Sequence, residues 1–299
     1  MIMVCPLCAS QRATKLYTLP EGHETRRCDT CAFVFLWPRP TADYLNAYYN
    51  SAPVYDLTSD TPSDYEGVVS DKTSLIGRFM ARFPRLLTDG QAVDFGAGNG
   101  TTVKALERLG FDALGIEISA RARTAAQSVF GVTMQDGDLN AMAENSLSFL
   151  SLFDVLEHLT EPKAFLELAR TRLKDNAACV VGVPNYNSLE RMWLGPRSKA
   201  LIFPEHVNQF TTQTLRRTFE DAGFDVLYIG SPPPYGVAIS FGWRRSVGAR
   251  LGRNALSRVL IQALTWAKRY LVYPLPNLFV EKTGLFGQSL LIVATRSAA

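Results

Sequence analysis

Three glycines and one acidic residue follow an apolar run in the segment AVDFGAGNG, residues 92–100. Glycines in a turn between a strand and a helix let backbone N–H groups and the helix N-terminus approach a ligand closely. The segment therefore predicts a nucleotide-type cofactor site. In the dinucleotide fingerprint G-x-G-x-x-G the third glycine would stand where this chain has Thr101. The glycines here are Gly96, Gly98 and Gly100 instead.

Acidic residues at the ends of three predicted strands indicate which nucleotide the loop binds. Asp94 stands two residues before the first glycine, where its charge would repel a pyrophosphate and suits a positively charged ligand. Glu117 ends the next strand, where a carboxylate can take both hydroxyls of a ribose. Asp138 follows the third strand and offers a carboxylate to an adenine amino group, with Leu139 for the ring face and Asp136 as a competitor. The set fits a cationic adenosine.

Four of the five cysteines form two C-x2-C pairs, CPLC and CDTC, separated by 19 residues. This spacing is typical of two knuckles whose thiolates meet on one tetrahedral Zn²⁺. Because about 30 residues cannot bury enough apolar surface to fold alone, the metal would supply folding energy and the site would be structural. Two disulfides or four unrelated thiols are the alternatives; disulfides are disfavoured because no secretory signal is visible, and a cytoplasmic location is expected. The predicted zinc ligands are Cys5, Cys8, Cys28 and Cys31, and Cys179 is predicted to be a small core residue.

The elements that must position these residues alternate in type along the chain. From residue 91, short β-branched runs alternate with helical stretches, which predicts an α/β, Rossmann-like doubly wound sheet of seven strands. Residues 1–40 are predicted to form a zinc-ribbon-like segment, residues 41–88 a helical cover, and residues 89–299 the cofactor-binding domain. The predicted strands are 92–95, 113–117, 132–135, 147–153, 178–183, 226–229 and 289–295; the predicted helices are 42–49, 68–83, 101–109, 120–129, 162–173 and 212–222.

A basic insert lies between the sixth and seventh predicted strands. The whole chain has a net charge of +3, whereas residues 231–287 hold eight Lys or Arg against one acid. A largely apolar helical pattern in this insert predicts a substrate lid or a homodimer contact, with a peripheral membrane contact as the alternative. The apolar run 270–280 is too short to span a bilayer. Trp193 and Trp243 are candidates for the walls of an acceptor pocket, and a core role is equally open for both.

The order of these motifs resembles that of the class I S-adenosylmethionine-dependent methyltransferases. The pattern D-x-G-x-G-x-G is followed by an acid 17 residues beyond the last glycine, and LFDVLEHLTEP and VVGVPNYNS resemble the motifs of the fourth and fifth strands. PEHVNQFTTQTL resembles the next segment of bacterial small-molecule members, and the cysteine pairs with FLWPRPT resemble a zinc-ribbon subgroup. The resemblance spans residues 79–230 and the last strand. It implies that Asp94, Gly96 and Gly98 hold the methionine moiety, Glu117 the ribose, and Asp138 and Leu139 the adenine, while Phe153 lines the pocket.

The same resemblance implies methyl transfer from S-adenosylmethionine to an oxygen or carbon of a small molecule, such as a sugar or specialised metabolite. The sequence FDVLEH stands where amino-group methyltransferases often carry Asn/Asp-Pro-Pro-Tyr/Phe, which disfavours an exocyclic amine. A hydroxyl or carbon acid needs a general base. His206 and His158 are the candidates, with the ordering of a loop over the cofactor as the alternative role for each. Glu157 and Glu205 are predicted to brace backbone or cofactor groups.

Two other classes of function compete with this interpretation. A nicotinamide oxidoreductase is opposed by Thr101 and Asp94. A zinc-ribbon nucleic-acid-binding protein or RNA methyltransferase is permitted by the ribbon and the basic insert. Residues 1–40 have only a slight basic excess and no interleaved aromatic and basic surface pattern, so a nucleic-acid partner is disfavoured.

Overall fold

Two β-sheets organise the computed structural model, which describes residues 2–51, 62–232, 281, 283, 284 and 286–297. The predicted insert at 231–287 and Trp243 lie almost entirely outside the described residues. The strands are β1 (Ala13–Thr18), β2 (Glu24–Cys28), β3 (Val34–Trp37), β4 (Gln91–Phe95), β5 (Asp112–Ile116), β6 (Met134–Gln135), β7 (Leu147–Phe153), β8 (Leu173–Pro184), β9 (Asn208–Gln209), β10 (Phe224–Gly230) and β11 (Ser289–Arg296). The helices are α1 (Ala42–Ser51), α2 (Pro62–Arg82), α3 (Thr101–Arg108), α4 (Ala120–Phe130), α5 (Pro162–Arg172), α6 (Leu189–Leu194) and α7 (Thr212–Asp221).

The larger sheet has seven strands in the order β10-β11-β8-β7-β4-β5-β6. Its strands β4 to β8 pair in parallel, whereas β11 runs antiparallel to both of its neighbours. The chain leaves β4 toward β5 on one side and reaches β7 on the other, so β4 marks the point where the strand order reverses. Ligands of doubly wound sheets bind at the carboxyl ends of the strands at such a point. The predicted fold class is confirmed, and the glycine loop stands at that edge.

Both faces of this sheet are buried, which explains the apolar runs of its strands. Neighbouring residues on one strand point to opposite faces. Val93 and Leu150 pack in one apolar cluster, while Ala92 and Phe149 pack in the other. Cys179 is buried in the first cluster, as predicted.

The smaller sheet joins the ribbon to the rest of the chain. Its strands β1, β2 and β3 form an antiparallel meander, and β3 pairs with β9 through Val34 opposite Gln209 and Phe35 opposite Asn208. Phe33 and Phe210 are fully buried, with ring centroids 5.3 Å apart. The ribbon and the larger sheet therefore share one continuous apolar core. The division of the chain at residues 40 and 88 remains a prediction.

Several boundaries differ from the sequence prediction; β8, for example, begins at Leu173, five residues before the predicted start at residue 178. Helix α2 begins at Pro62, six residues before the predicted start, because proline is favoured in a first helical turn. Strand β6 covers only Met134–Gln135 of the predicted range 132–135. Val132 is buried against Gly100 and does not pair with β5. Within the described ranges, no helix has the length and apolar character needed to cross a membrane.

Candidate functional site

The glycine loop after β4 has a backbone that only glycine adopts without strain. Gly96, Gly98 and Gly100 all have positive φ angles, of 71°, 49° and 75°. A Cβ added at Gly96 would lie 2.4 Å from Cγ2 of Val155, which is well inside van der Waals contact. The loop therefore needs glycine for its conformation and for close packing, and it leads directly into the N-terminus of α3.

Asp94 lies beneath this loop and is 2% exposed. The hydroxyl of Ser151 donates a hydrogen bond of 2.6 Å to its Oδ1 atom. Burial raises the pKa of Asp94 to about 6, although the positive charge of Lys72 and the hydrogen bond from Ser151 act in the opposite direction. A buried carboxylate of this kind is stabilised by a bound cation, which fits the charge predicted for the ligand.

Lys72 of α2 lies close to Asp94 and is a residue that the sequence reasoning missed. Its Nζ donates a hydrogen bond of 2.5 Å to Oγ1 of Thr102 and lies 4.5 Å from the ring centroid of Phe153. Burial lowers the pKa of Lys72, while the charges of Asp94 and Asp154 oppose that shift. The signal was present in the sequence, because Lys72 falls at helical spacing on the stripe that otherwise holds buried apolar residues.

Glu117 connects the ends of β4 and β5 through its carboxylate. One oxygen accepts a hydrogen bond of 2.9 Å from the backbone N–H of Gly98, and the other accepts one of 2.8 Å from Ser119. The side chain is buried, yet each oxygen keeps a lone pair for a further donor. This geometry fits a carboxylate held in place to receive two ribose hydroxyls.

The predicted adenine contacts lie at the end of β6. Asp138 is exposed, and its Oδ1 accepts a hydrogen bond of 2.7 Å from the backbone N–H of Asn140. Leu139 is fully buried in the core, whereas Ile118, next to Glu117, is an exposed apolar side chain that the sequence reasoning missed. Asp136, the competitor of Asp138, forms an ion pair of 3.4 Å with Arg123.

A carboxylate and two imidazoles meet beyond the end of β7. They belong to Glu157, His158 and His206, which together form the Glu157 cluster. His158 Nε2 lies 3.7 Å from Glu157 Oε1, and the two imidazole rings meet edge to face with centroids 4.9 Å apart. One ligand atom from each residue lies within 4.8 Å of the others. The two histidines that the sequence singled out are thus brought together at a single place.

Burial disfavours a charge on each member of the Glu157 cluster. Burial raises the pKa of Glu157 well above its usual range, with a further contribution from the charge of Asp154. Burial lowers the pKa of His158 to about 3 and also lowers the pKa of His206. Both imidazoles can accept a proton at neutral pH, but burial disfavours the charged form that would result.

The ribbon positions the loops that carry the cluster. Arg39, just after β3, donates through Nη2 to the Thr160 carbonyl at 2.5 Å and to Asn208 Oδ1 at 3.0 Å. Asn208 donates through Nδ2 to the Leu159 carbonyl at 2.6 Å. Its backbone N–H donates to the Glu157 carbonyl at 2.9 Å. The loop after β7 and the His206 loop are therefore tied together through β9 and Arg39.

The four predicted zinc ligands converge at the base of the ribbon. The sulfur atoms of Cys5 and Cys31 lie 3.6 Å apart, as do those of Cys8 and Cys28, and all four lie within 4.8 Å of one another. Tetrahedral zinc with Zn–S bonds of about 2.3 Å has sulfur–sulfur edges of about 3.8 Å. The cluster can therefore hold a zinc ion. The cysteines are unbridged, which disagrees with the two-disulfide alternative.

Trp193, the other candidate for an acceptor wall, lies on α6 and is 77% exposed. It is therefore not a core residue of the described structure. Its neighbours Leu189 and Met192 are also exposed. This apolar surface adjoins the returning chain, because the backbone N–H of Leu189 donates to the Phe286 carbonyl.

Comparisons with known proteins agree with this geometry. A family model described as a methyltransferase domain matches residues 70–229. Magnesium protoporphyrin IX methyltransferase from Synechocystis, solved with bound SAH, has a TM-score of 0.53 and 15% identity, with coverage of 86% of this chain and 100% of that one. Among curated proteins, none matches the chain.

Two further solved structures resemble the chain in fold. One is a complex between the Haloferax volcanii Trm112 methyltransferase activator and a methyltransferase, with a TM-score of 0.52, 14% identity and coverage of 87% of this chain and 100% of that one. The other is a SAM-dependent methyltransferase from Thermotoga maritima, with a TM-score of 0.50, 16% identity and coverage of 85% and 98%. At these identities the likeness shows the fold alone.

Proposed function

Since this chain belongs to the family of methyltransferase domains, we propose that it transfers a methyl group from S-adenosylmethionine to an oxygen or carbon of a small molecule. The observation that carries the choice of methyl donor is the buried carboxylate of Asp94 beneath the glycine loop. S-adenosylmethionine presents a cationic ammonium and a sulfonium, and a pyrophosphate cofactor would bring negative charge to the same place. The donor therefore matches the charge of the pocket.

The described residues offer one group for each part of this methyl donor. Asp94 pairs with the ammonium, and Lys72 supplies a cation for the carboxylate of the same methionine moiety. Glu117 accepts the ribose hydroxyls, with its orientation held by the N–H groups of Gly98 and Ser119. The roles of Gly96, Gly98, Asp138, Leu139 and Phe153 stay untested predictions from the sequence. Ile118 adds an apolar surface for adenine, which fits its exposure beside Glu117.

We infer that the acceptor enters on the side of the pocket that holds the Glu157 cluster. Val155 packs against Gly96 of the glycine loop, and Glu157 follows Val155 by two residues, so the cluster lies close to the loop. Methyl transfer from a sulfonium is an in-line displacement that depends mainly on alignment and exclusion of water. A neutral imidazole at this place supports an oxygen or carbon acceptor, and direct proton transfer to His206 or His158 stays a prediction.

The name of the Synechocystis relative in fold describes a small-molecule substrate, which supports a small-molecule acceptor here. The name of the Haloferax structure describes an activator protein in complex with a methyltransferase, so a protein partner is a further candidate. Homodimer or membrane contact through residues 231–287 and the cytoplasmic location stay predictions from the sequence.

Calorimetric titration of the purified chain with S-adenosylmethionine and with NADH tests the proposal. We expect one molecule of S-adenosylmethionine to bind per chain and NADH to show no heat. Asp94→Asn and Glu117→Gln each remove a charged hydrogen-bonding group, worth about 1.5–3 kcal/mol, or about 10- to 150-fold in affinity. Asp112→Asn, at an exposed position on β5, is the matched control and should bind normally. Binding of NADH in preference to S-adenosylmethionine would refute the proposal.

A further inference from the structure

We propose that Glu157, His158 and His206 bind a divalent metal ion, separate from the cysteine cluster of the ribbon. The site would place this metal beside the acceptor, so its catalytic use rests on the methyltransferase function proposed above. Its existence as a metal site rests on the geometry of the described residues alone.

The first observation is convergence of the ligand atoms. A carboxylate oxygen and one nitrogen from each imidazole lie within 4.8 Å of one another. Ligands bonded to one metal at about 2.1 Å lie about 3.0–3.4 Å apart, and the contact of 3.7 Å between Glu157 and His158 is close to that spacing.

The second observation is the environment of Glu157. Its side chain is 1% exposed, and neither carboxylate oxygen has a hydrogen-bond partner among the described residues. Buried carboxylates are normally hydrogen-bonded, paired with a cation or bound to a metal, because desolvation without a partner is costly. In the described part of the chain, no lysine or arginine forms an ion pair with Glu157. A bound cation at the cluster supplies the missing partner.

The third observation is the orientation of His206. Its Nδ1 lies 3.1 Å from the Ala200 carbonyl oxygen, which can only accept a hydrogen bond. The ring therefore donates from Nδ1, and the lone pair of the unprotonated Nε2 is the one that can bind a metal. Metal-binding histidines commonly make this contact between their other ring nitrogen and a backbone carbonyl. It fixes both the tautomer and the direction of the ring before a metal arrives.

The donor set indicates which metals fit. Two imidazoles and one carboxylate suit Mn²⁺, Fe²⁺, Co²⁺ or Zn²⁺, whereas Ca²⁺ and Mg²⁺ favour oxygen ligands throughout. The cysteine cluster, with four thiolates, selects Zn²⁺ instead. The two sites therefore differ enough in softness to be loaded and measured separately. Three protein ligands also leave coordination positions open, as in catalytic metal sites.

The open positions indicate the class of acceptor. We infer a small molecule with two adjacent oxygen donors that chelate the metal, one of them the hydroxyl to be methylated. A metal bound there would lower the pKa of that hydroxyl, and its proton would leave to bulk water because both histidines are then metal ligands. The acceptor oxygen then bonds to the methyl carbon while the carbon–sulfur bond breaks. The bonding pair stays on sulfur, so the products are a methyl ether and the neutral thioether S-adenosylhomocysteine.

Mn²⁺ is the probe that separates this site from the ribbon, because it prefers oxygen and nitrogen over thiolate ligands. Electron paramagnetic resonance of free Mn²⁺ during a titration of the full chain measures the stoichiometry and Kd. We expect one saturable site in the wild type and at least tenfold weaker binding in Glu157→Gln, His158→Ala and His206→Ala. His23→Ala replaces the third histidine, which lies in the ribbon, and should leave Mn²⁺ binding unchanged.

Pulsed electron paramagnetic resonance of the wild-type Mn²⁺ complex provides a test that needs no variant. Two histidine ligands give nitrogen couplings from imidazole, and their absence would overturn the proposal even if the variants fail to fold. Calorimetry with S-adenosylmethionine in the same samples separates the two proposals. Binding of S-adenosylmethionine without a saturable Mn²⁺ site refutes the metal site and leaves the methyltransferase function standing. Mn²⁺ binding without S-adenosylmethionine binding keeps the metal site and refutes the proposed function and acceptor class.

Discussion

The affinity for S-adenosylmethionine should fall as the pH drops through 6, because the ammonium pairs with the ionised form of Asp94. Burial raises the pKa of this carboxyl to about 6 in the free protein, above its ordinary value. Lys72 and Glu117 are the charged groups that contribute to its field, with opposite signs. The ionised fraction is about nine-tenths at pH 7 and about one-tenth at pH 5. If the complex holds Asp94 ionised, the Kd should be about tenfold larger at pH 5 than at pH 7.

The assay is calorimetric titration with S-adenosylmethionine at half-unit steps between pH 5 and pH 7.5 in buffers of equal ionic strength. Asp94→Asn should bind more weakly at pH 7 and show a nearly flat dependence, because it has no titrating group at this position. Glu157→Gln is the matched control, since Glu157 also has a raised pKa but lies in the acceptor cluster. A wild-type affinity that stays constant to pH 5, or an equal slope in Asp94→Asn, would refute the assignment of Asp94 to the ammonium.

Three further predictions concern the elements around the pocket. Removal of zinc with a strong chelator should lower the melting temperature, because the cysteines are part of the shared core. Cys28→Ser should show the same loss of melting temperature. In elemental analysis the control Cys179→Ser should keep its zinc, because Cys179 is not one of the four predicted ligands. Arg39→Met removes the donor to the Thr160 carbonyl and to Asn208 Oδ1, so denaturant unfolding should show a loss of about 2 kcal/mol, and an unchanged midpoint would contradict the bridging role. Gly96→Ala should weaken S-adenosylmethionine binding by tenfold or more, because φ is 71° and the new Cβ meets Val155; normal calorimetric affinity would show that the loop adjusts at little cost.

Much of the larger sheet could be predicted from the sequence, because its signals are local. The strand predicted at 147–153 has the same bounds in the structure, and the helix predicted at 120–129 extends by one residue. Turn glycines and the acids at strand ends stand within a few residues of the strands that position them. The cysteine pairs could also be recognised in the sequence, because each C-x2-C knuckle is a local structure. Only the approach of the two knuckles to each other depends on the fold.

Element boundaries and residue roles that depend on contacts between distant parts of the chain were harder to predict from the sequence. The early start of α2 at Pro62 has no apolar periodicity to reveal it, because its first turn is largely polar. The short strand β9 carries only two residues, and its pairing with β3 becomes apparent only once the ribbon has folded. No sequence pattern predicts a fourth strand for the ribbon that comes from 170 residues further along the chain.

The sequence by itself determined the sheet, the glycine loop, the acids beside it and the four thiols, because each depends on backbone conformation over a few neighbouring residues. Only the tertiary structure decided the pKa values of these side chains and which residues they contact. It placed Lys72 over Phe153, left Glu157 buried without a hydrogen-bond partner among the described residues, and brought His158 to His206. The pKa of a group and its capacity to bind a metal depend on solvent exclusion and on charges contributed by distant segments. Those quantities exist only after the chain has packed.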